Sequence, residues 1–184
     1  SLAGGAIGDG LIVDLARHAR AITDLDRERG IVHVGAGVVL DQLNAFLKPH
    51  GLCFGPDVAT SSRATLGGMV SNNSSGARAP VYGTTIDHVA ALDLVLADGR
   101  VVRAATDSDA LGAERQAVDA VVLPKADLIR DRFPEGLVKR WPGYGLDDYL
   151  RAPGDLCKVL GGSEGTLAAI TGATSSAWTN PRSF

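Results

Sequence analysis

Apolar and polar residues are spaced along the chain in ways that predict a series of short strands. Strands are predicted where a run of apolar residues is bounded by turn residues: 10–15, 21–25, 30–35, 89–96 and 167–174. The Asp98-Gly99 pair predicts a two-residue hairpin turn after the fourth of these. We therefore expect residues 89–96 to pair antiparallel with a strand that returns from Val101.

Apolar residues at three- and four-residue spacing predict helices between the strands. The clearest helix lies over 38–50, where three leucines share one face and Gly51 is placed to cap the end. Further helices are predicted over 110–132 and 155–160. Pro124 is expected to break the first of these into two helices, because proline lacks the N–H that the helical ladder requires.

One stretch, residues 56–78, is long and almost free of large apolar side chains. A loop of this length in a compact domain is usually functional or disordered, and the apolar segments on both sides argue against disorder. Leu66, Met69 and Val70 recur at the spacing of one buried helical turn. Ser and Asn side chains supply neutral donors and acceptors, and glycines open peptide N–H groups to close approach: Gly67, Gly68 and Gly76. The stretch therefore predicts a site for a polar or anionic ligand held by backbone dipoles at a helix start.

Composition narrows the class of protein and of partner. Hydrophobic residues make up 45% and charged residues 21% of the 184 residues, as in an ordinary globular protein, and no apolar run approaches the length of a membrane span. A net charge of −3 argues against nucleic acid as the main partner. Cys53 and Cys157 lie far apart and are expected to be reduced thiols in a cytoplasmic protein. The four histidines are scattered, so a protein metal site is not expected.

Two motifs resemble functional ones but lack a feature that the function requires. Gly35-Ala36-Gly37 follows a predicted strand and opens a helix, as a dinucleotide fingerprint does, but Leu40 stands at the third glycine position. We therefore expect a plain strand-to-helix turn there. Asp87 and His88 suggest a base and its orienting carboxylate, but adjacent residues on a strand point to opposite faces.

Three blocks in order along the chain carry a family resemblance. They are Ser1-Leu2-Ala3-Gly4-Gly5, the Pro-Asp … Gly-Gly-x-x-x-x-Asn-x-x-Gly pattern within 56–78, and Gly162-Ser163-Glu164-Gly165-Thr166-Leu167. Tyr82-Gly83 and Leu96-Ala97-Asp98-Gly99 follow at matching spacing. Together they resemble the FAD-binding domain of FAD-linked oxidases of the vanillyl-alcohol-oxidase and p-cresol-methylhydroxylase type. The branch they most resemble holds D-lactate, glycolate and D-2-hydroxyglutarate dehydrogenases.

The resemblance implies a fold and a domain organisation. It implies an α+β fold with a mixed, largely antiparallel sheet flanked by helices. Residues 1–178 would form an FAD-binding domain truncated at its N-terminal subdomain, and residues 179–184 a tail. The chain is accordingly expected to be a piece of a larger polypeptide, with the substrate domain and its catalytic residues beyond Phe184. No catalytic residue is therefore assigned.

The resemblance also implies a set of cofactor contacts, with Ser1 and Leu2 at the pyrophosphate. The implied FAD-binding residues are Ser1, Leu2, Asp57, Ser62, Thr65, Gly67, Gly68, Asn72, Asn73, Ser74, Ser75, Gly76, Glu164, Gly165, Thr166 and Ile170. Simpler structural interpretations stay open. Gly67-Gly68 can be only a tight turn, and Asn72-Asn73 only a left-handed helix cap. Asp57 can be an ordinary turn or N-cap residue, and Glu164 a cap of the turn into the last strand.

By resemblance, the function is that of the FAD-binding portion of a flavoprotein dehydrogenase that oxidises a D-2-hydroxy acid by hydride transfer to flavin. The substrate and a second electron acceptor would bind through other parts of the protein. One alternative is a truncated domain that folds without flavin and is inactive. Another is a nicotinamide-dependent flavin reductase of the cell-wall-precursor type, against which the hydroxy-acid-branch likeness of residues 141–150 speaks.

Overall fold

The computed structural model describes residues 9–105, 109–133, 136 and 143–179. Five of the described strands form one sheet in the order β1-β2-β6-β4-β5, and every neighbouring pair in it is antiparallel. The remaining two, β3 and β7, pair with each other. The strands are β1 Ile22–Asp26, β2 Ile31–Gly35, β3 Leu52–Cys53, β4 Val89–Val95, β5 Val101–Ala105, β6 Ala169–Ser176 and β7 Trp178–Thr179.

Helices flank this sheet, so the α+β class expected from the sequence is confirmed. The α-helices are α1 Leu15–His18, α2 Leu40–Leu47, α3 Leu66–Asn72, α4 Ala79–Tyr82, α5 Gly112–Val122, α6 Ala126–Arg132, α7 Leu146–Arg151 and α8 Leu156–Leu160. Short 3₁₀ turns lie at Lys48–His50, Thr85–His88, Asp109–Leu111 and Leu123–Lys125.

The strongly periodic segments fold as predicted. The helix predicted over 38–50 is α2 followed by a 3₁₀ turn, and Gly51 ends it in the left-handed region at φ 71°. A 3₁₀ turn containing Pro124 separates α5 from α6. The predicted strands over 21–25, 30–35, 89–96 and 167–174 are confirmed as the four strands β1, β2, β4 and β6.

The strand predicted over 10–15 is wrong. These residues form no strand, α1 begins at Leu15 with Asp14 as its N-cap, and Leu11 is 92% exposed. No described strand pairs with the segment, so its apolar residues have no sheet to be buried in. An apolar run predicts that its side chains are buried, but here residues of the run line a cleft.

The hairpin after β4 has a longer turn than predicted. The Leu96 N–H donates to the Arg100 carbonyl and the Gly99 N–H donates to the Leu96 carbonyl, each at 3.0 Å. The turn therefore contains three residues, Ala97, Asp98 and Gly99. Gly99 takes φ 86°, the left-handed position that a three-residue hairpin turn requires.

Helix α3 bridges two apolar cores. Leu66 and Met69 pack with α2 and β2, in a cluster that includes the fully buried Leu40 and Leu43. Val70, on the other side of α3, packs with β4, β6 and α8 in the second cluster. The predicted buried helical turn is thus confirmed, and it joins the two apolar clusters.

The glycines between β2 and α2 permit close backbone packing. A Cβ at Gly35 would collide with the Ala19 carbonyl oxygen, and a Cβ at Gly37 would collide with the Leu15 carbonyl oxygen. The Gly35 and Gly37 N–H groups donate to the carbonyls of Ala21 and Ala19, each at 2.8 Å. The prediction of a plain strand-to-helix turn is confirmed.

His88 is a buried, neutral structural residue. It is 3% exposed, its Nε2 lies 2.7 Å from the Tyr82 carbonyl, and the Trp178 indole N–H donates to its Nδ1 at 3.0 Å. Burial lowers the pKa of His88, against opposing effects of the Tyr82 carbonyl and Asp87. The Asp87 carboxylate instead accepts from the Thr84 N–H and hydroxyl. The two residues therefore form no base–orienter pair, as the sequence predicted, although His88 ends a 3₁₀ turn rather than lying on a strand.

The buried His88 makes the stability of the fold depend on pH. Its folded pKa lies below the unfolded value of about 6.5, so the unfolded chain binds more protons as the pH falls. Stability should be fully present above about pH 6.5 and should decline below it. His88→Gln, which keeps a donor and an acceptor but does not titrate, should lose this component. Urea unfolding of both proteins between about pH 8 and pH 5 measures the free energy of unfolding as a function of pH. The same pH dependence in wild type and His88→Gln would contradict the assignment.

Candidate functional site

The first amides of α3 are bonded inside the chain. The Leu66 and Gly67 N–H groups donate to the carbonyls of Val38 and Ala36, each at 2.9 Å. The Gly68 N–H donates to the hydroxyl of Thr65, the N-cap, at 3.3 Å. These amides would otherwise have no partner at a helix start. The anion-binding role that the sequence suggested for this helix start is therefore limited by internal hydrogen bonds.

The last carbonyls of α3 are bonded to the second glycine-rich block. The Gly162 N–H donates to the Val70 carbonyl at 3.0 Å, and the Glu164 N–H donates to the Ser71 carbonyl at 2.9 Å. The Asn72 side-chain amide donates to the Glu164 carboxylate at 2.5 Å. The turn over residues 161–167 is therefore fastened to the C-terminal end of α3, although 92 positions of sequence separate Asn72 from Glu164.

A cleft of about 760 Å³ opens beside this junction. Its walls come from α3 and its N-cap, from the turn before β6 with the start of β6, and from the segment that leads into α1. The lining residues are Gly10, Leu11, Ile12, Val13, Leu15, Thr65, Gly67, Gly68, Ser71, Gly165, Ala168, Ala169 and Ile170. None of these lining residues carries a charge. The cleft therefore combines apolar walls with hydroxyl groups and main chain.

Two glycines leave the main chain open at this cleft. A Cβ at Gly68 would meet only the Thr65 hydroxyl, at 3.2 Å, and a Cβ at Gly165 would meet nothing within 4 Å. Gly67 differs, because its Cβ would lie 2.7 Å from that of Ala36, and a Cβ at Gly76 would collide with Asp57. Gly67 and Gly76 therefore serve packing within the chain, whereas Gly68 and Gly165 leave space for a ligand.

Several of the predicted site residues shape the junction rather than line the cleft. Asn73 ends α3 in the left-handed region at φ 49°, and its side-chain oxygen accepts from the Ile86 N–H at 3.0 Å. The Ser74 hydroxyl donates to the side-chain oxygen of Asn72 at 3.2 Å. Ser75 forms an isolated β-bridge with Thr84. The cap interpretation thus describes Asn73, and cofactor contact by these residues stays a prediction.

Asp57 lies at a different cavity. Its carboxylate accepts from the Arg78 N–H at 3.3 Å and pairs with the Arg78 guanidinium at 3.4 Å. This second cavity, of about 480 Å³, shares no lining residue with the cleft and is lined by Asn44, Ala45, Lys48, Leu52, Cys53, Phe54, Gly55, Asp57, Arg78 and Tyr82. Burial raises the pKa of the Cys53 thiol there, while Arg78 opposes the shift.

The other predicted cofactor residues differ in where they lie relative to the cleft. Thr65, Gly67, Gly68, Gly165 and Ile170 line the cleft, and their contact with a cofactor stays a prediction. Ser62 is exposed and does not line it. Ser1 and Leu2 lie outside the described residues.

Sequence reasoning missed part of the cleft wall. Ser71 lies three positions after Gly68 on α3, so helical periodicity could have found it. Leu11, Ile12 and Val13 carried no such signal, because an apolar run is typical of a buried strand. No motif pointed to Tyr144, whose hydroxyl lies 2.7 Å from that of Thr166.

The chemistry of the cleft suits a ligand with a planar apolar part and hydroxyl-rich parts. Apolar side chains can cover a ring system, and hydroxyls with open main chain can bond a polyol or a diphosphate without a fixed cation. Among the described residues, no group of three His, Cys, Asp or Glu side chains could hold a metal ion. None of the helices described is long and apolar enough to cross a membrane.

Comparisons with known proteins agree with this chemistry. A family model of the FAD binding domain matches residues 1–105. D-2-hydroxyglutarate dehydrogenase from Escherichia coli strain K12 is 39% identical over 184 residues, which cover 92% of this chain and 18% of that protein. The enzyme of the same name from Pantoea ananatis is 40% identical over 186 residues, with the same shares of the two chains.

A more distant relative has a different substrate in its name. D-lactate dehydrogenase from Archaeoglobus fulgidus is 32% identical over 173 residues, covering 94% of this chain and 30% of that protein. The chain thus spans about a fifth of the length of the first two relatives and less than a third of this one.

The two neighbouring glycines of α3 offer a matched test of the geometry. Gly67→Ala should lower the free energy of unfolding by about 1–3 kcal/mol, because its methyl group would overlap Ala36. Gly68→Ala should leave it unchanged or raise it by up to about 1 kcal/mol, because alanine favours the helix. Urea unfolding monitored by circular dichroism measures both values. Equal effects of the two substitutions would contradict the division of roles.

Proposed function

Because this chain belongs to the FAD-binding-domain family, we propose that it holds FAD in the cleft between α3 and the turn over residues 161–167. The observation that carries the proposal is that two blocks far apart in sequence line one uncharged cleft. Main-chain hydrogen bonds from Gly162 and Glu164 to α3 support their mutual placement. We extend the proposal to residues 1–178 as one FAD-binding domain.

The chain's own residues would bind and orient the cofactor. The open main chain at Gly68 and Gly165 allows close approach, and the hydroxyls of Thr65 and Ser71 in the cleft offer neutral hydrogen-bonding groups. The exposed Thr166 follows Gly165 in the turn and offers a third hydroxyl beside the cleft. Apolar residues of the cleft would exclude water from one side of the ligand. Bound FAD would supply a two-electron acceptor, and the protein's contribution is binding, orientation and electrostatics.

The remaining predicted contacts belong to the same proposal. Asn72 and Glu164 would act by holding the turn against α3, since their side chains bond to each other, and the Ser74 hydroxyl would support Asn72. Asn73 would act by fixing the end of α3, since its side-chain oxygen accepts from the Ile86 N–H. Ser1 and Leu2 would meet the pyrophosphate, and Asp57, Ser62, Ser75 and Gly76 would contact cofactor beyond the cleft; these rest on the family resemblance alone.

We propose a D-2-hydroxy acid as the substrate of the protein that carries this chain. The names of the relatives support it, since two are D-2-hydroxyglutarate dehydrogenases and one is a D-lactate dehydrogenase. Because the chain spans only part of each relative, substrate and electron acceptor would bind mainly through other parts. The two free thiols, Cys53 and Cys157, support a reducing compartment such as the cytoplasm.

Binding of FAD is testable by blocking the cleft from within. FAD titrated into the protein, with flavin fluorescence as the readout, should give saturable binding. Gly68→Leu would place a bulky side chain in the cleft and should weaken binding by at least about tenfold. Gly112→Leu is the control, because it adds the same side chain at a helix start with nothing within 4 Å of its Cβ and away from the cleft.

The FAD titration distinguishes the proposed FAD-binding domain from a truncated domain that folds without flavin. A folded wild-type protein that binds no FAD would favour a domain that folds without flavin. Equal affinity of Gly68→Leu and wild type would place the cofactor elsewhere.

The substrate class needs a protein that carries this chain together with the further length of its relatives. When such a protein is loaded with FAD, D-2-hydroxyglutarate or D-lactate should bleach the flavin absorption band, and the L-enantiomers should not. Bleaching by NADPH, with no response to either D-hydroxy acid, would favour the flavin reductase alternative.

A further inference from the structure

A short strap crosses the glycine-rich turn at the cleft. The strap consists of residues 143–145. The Gly143 carbonyl packs closely on Gly162, so a Cβ on Gly162 would collide with that carbonyl oxygen. At the other end, a Cβ on Gly145 would lie 2.6 Å from the Lys158 carbonyl oxygen. The strap is therefore fitted against both the turn and α8 by its main chain.

The side chain between these glycines reaches Thr166, an exposed residue that follows the cleft-lining Gly165 in the turn. The Tyr144 hydroxyl lies 2.7 Å from the Thr166 hydroxyl, and the Thr166 hydroxyl donates to the Ser163 carbonyl at 2.6 Å. A hydroxyl has one proton to donate. Since the proton of Thr166 is committed to Ser163, Tyr144 must be the donor in the bond between the two hydroxyls.

This arrangement fixes what Thr166 offers to a ligand. Its proton is used, one lone pair receives the Tyr144 proton, and one lone pair remains. We propose that Tyr144 is a positioning residue of the cofactor site, which holds Thr166 so that its hydroxyl accepts a hydrogen bond from a hydroxyl or amino group of the dinucleotide. A phosphate oxygen, which offers no proton, does not fit this partner. The inference rests on the proposed function, because it requires that FAD occupy this cleft.

The hydrogen bond contributes little to holding the fold together. Tyr144 is 41% exposed and Thr166 is also exposed, so both hydroxyls can bond to water when they are apart. Main-chain bonds hold the strap independently: the Leu146 N–H donates to the Tyr144 carbonyl at 2.8 Å, and the Tyr149 N–H to the Gly145 carbonyl at 2.9 Å. Loss of the phenol hydroxyl should therefore affect ligand binding more than folding.

The test is a double-mutant cycle in which FAD binding is measured for the wild-type chain and for each variant. The variants are Tyr144→Phe, Thr166→Val, their combination and Thr166→Ser. The readouts are the dissociation constant of FAD from flavin fluorescence and the thermal midpoint of each apoprotein. Tyr149→Phe is the matched control, because it also removes a bonded tyrosine hydroxyl, in this case one that donates to Asp119 away from the cleft.

A positioning role and a merely structural role predict different changes in the dissociation constant and in the thermal midpoint. Tyr144→Phe and Thr166→Val should each raise the dissociation constant by about threefold to tenfold, as expected for one net hydrogen bond, with unchanged apoprotein midpoints. The double variant should be no weaker than Thr166→Val, because Tyr144 acts through Thr166. Thr166→Ser should recover most of the lost affinity. Tyr149→Phe should lower the midpoint without changing the dissociation constant.

Each contrary result has one meaning. An unchanged dissociation constant in Tyr144→Phe would overturn the inference while leaving the proposed function intact, and so would effects of the two substitutions that add fully. Absence of FAD binding by the wild-type protein would overturn the proposed function and this inference together.

Discussion

The ends of helix α3 hold the fold and the cleft together. A helix leaves its last carbonyls without partners inside the helix, and α3 has only seven residues, so these carbonyls are a large share of its main chain. Amides of Gly162 and Glu164 bond two of them. Strand β6 begins shortly after this turn and lies between β2 and β4. The same hydrogen bonds that satisfy the helix therefore place the central strand of the sheet and the wall of the cleft.

The two cavities differ in charge, and this difference bears on what each can hold. None of the described residues that line the cleft beside α3 is charged, so these residues would bind a ligand through hydroxyls, main chain and apolar contact. The second cavity is lined by Lys48, Asp57 and Arg78, and the last two neutralise each other. Lys48 adds a second cation, so the charged residues named at this cavity are two cations and one anion. We propose the uncharged cleft as the place for a large cofactor because it has the larger volume, about 760 Å³ against about 480 Å³, and two open glycines.

Periodicity was enough to predict the parts of the fold that have one strong pattern. Helix α2 and strands β2, β4 and β6 follow from spacing because their apolar residues are buried in the core, and the apolar residues of β1, Ile22 and Leu25, pack on it while partly buried. The run at Leu11–Val13 broke the rule, since a strand needs a partner that no local pattern can supply. The turn at Gly99 was predicted in place but not in length, because Asp-Gly suits more than one hairpin type.

The candidate site was only partly predictable for a different reason. The family resemblance brought the blocks at Gly67-Gly68 and 164–166 together, which no local pattern could do. It could not divide the roles of Gly67 and Gly68, because packing against Ala36 and opening toward the cleft look alike in sequence. Nor could it place Tyr144 next to Thr166, since that contact depends on how the strap crosses the turn.

The most direct test of the cleft as the cofactor site is a map of amide chemical shifts. FAD would be titrated into the ¹⁵N-labelled protein and the backbone amide signals followed by NMR. If FAD occupies the cleft, the largest shifts fall on Thr65, Gly68, Ser71 and Gly165, while Lys48 and Arg78 at the second cavity move little. Shifts concentrated at the second cavity, or no saturable shifts at all, would contradict the assignment.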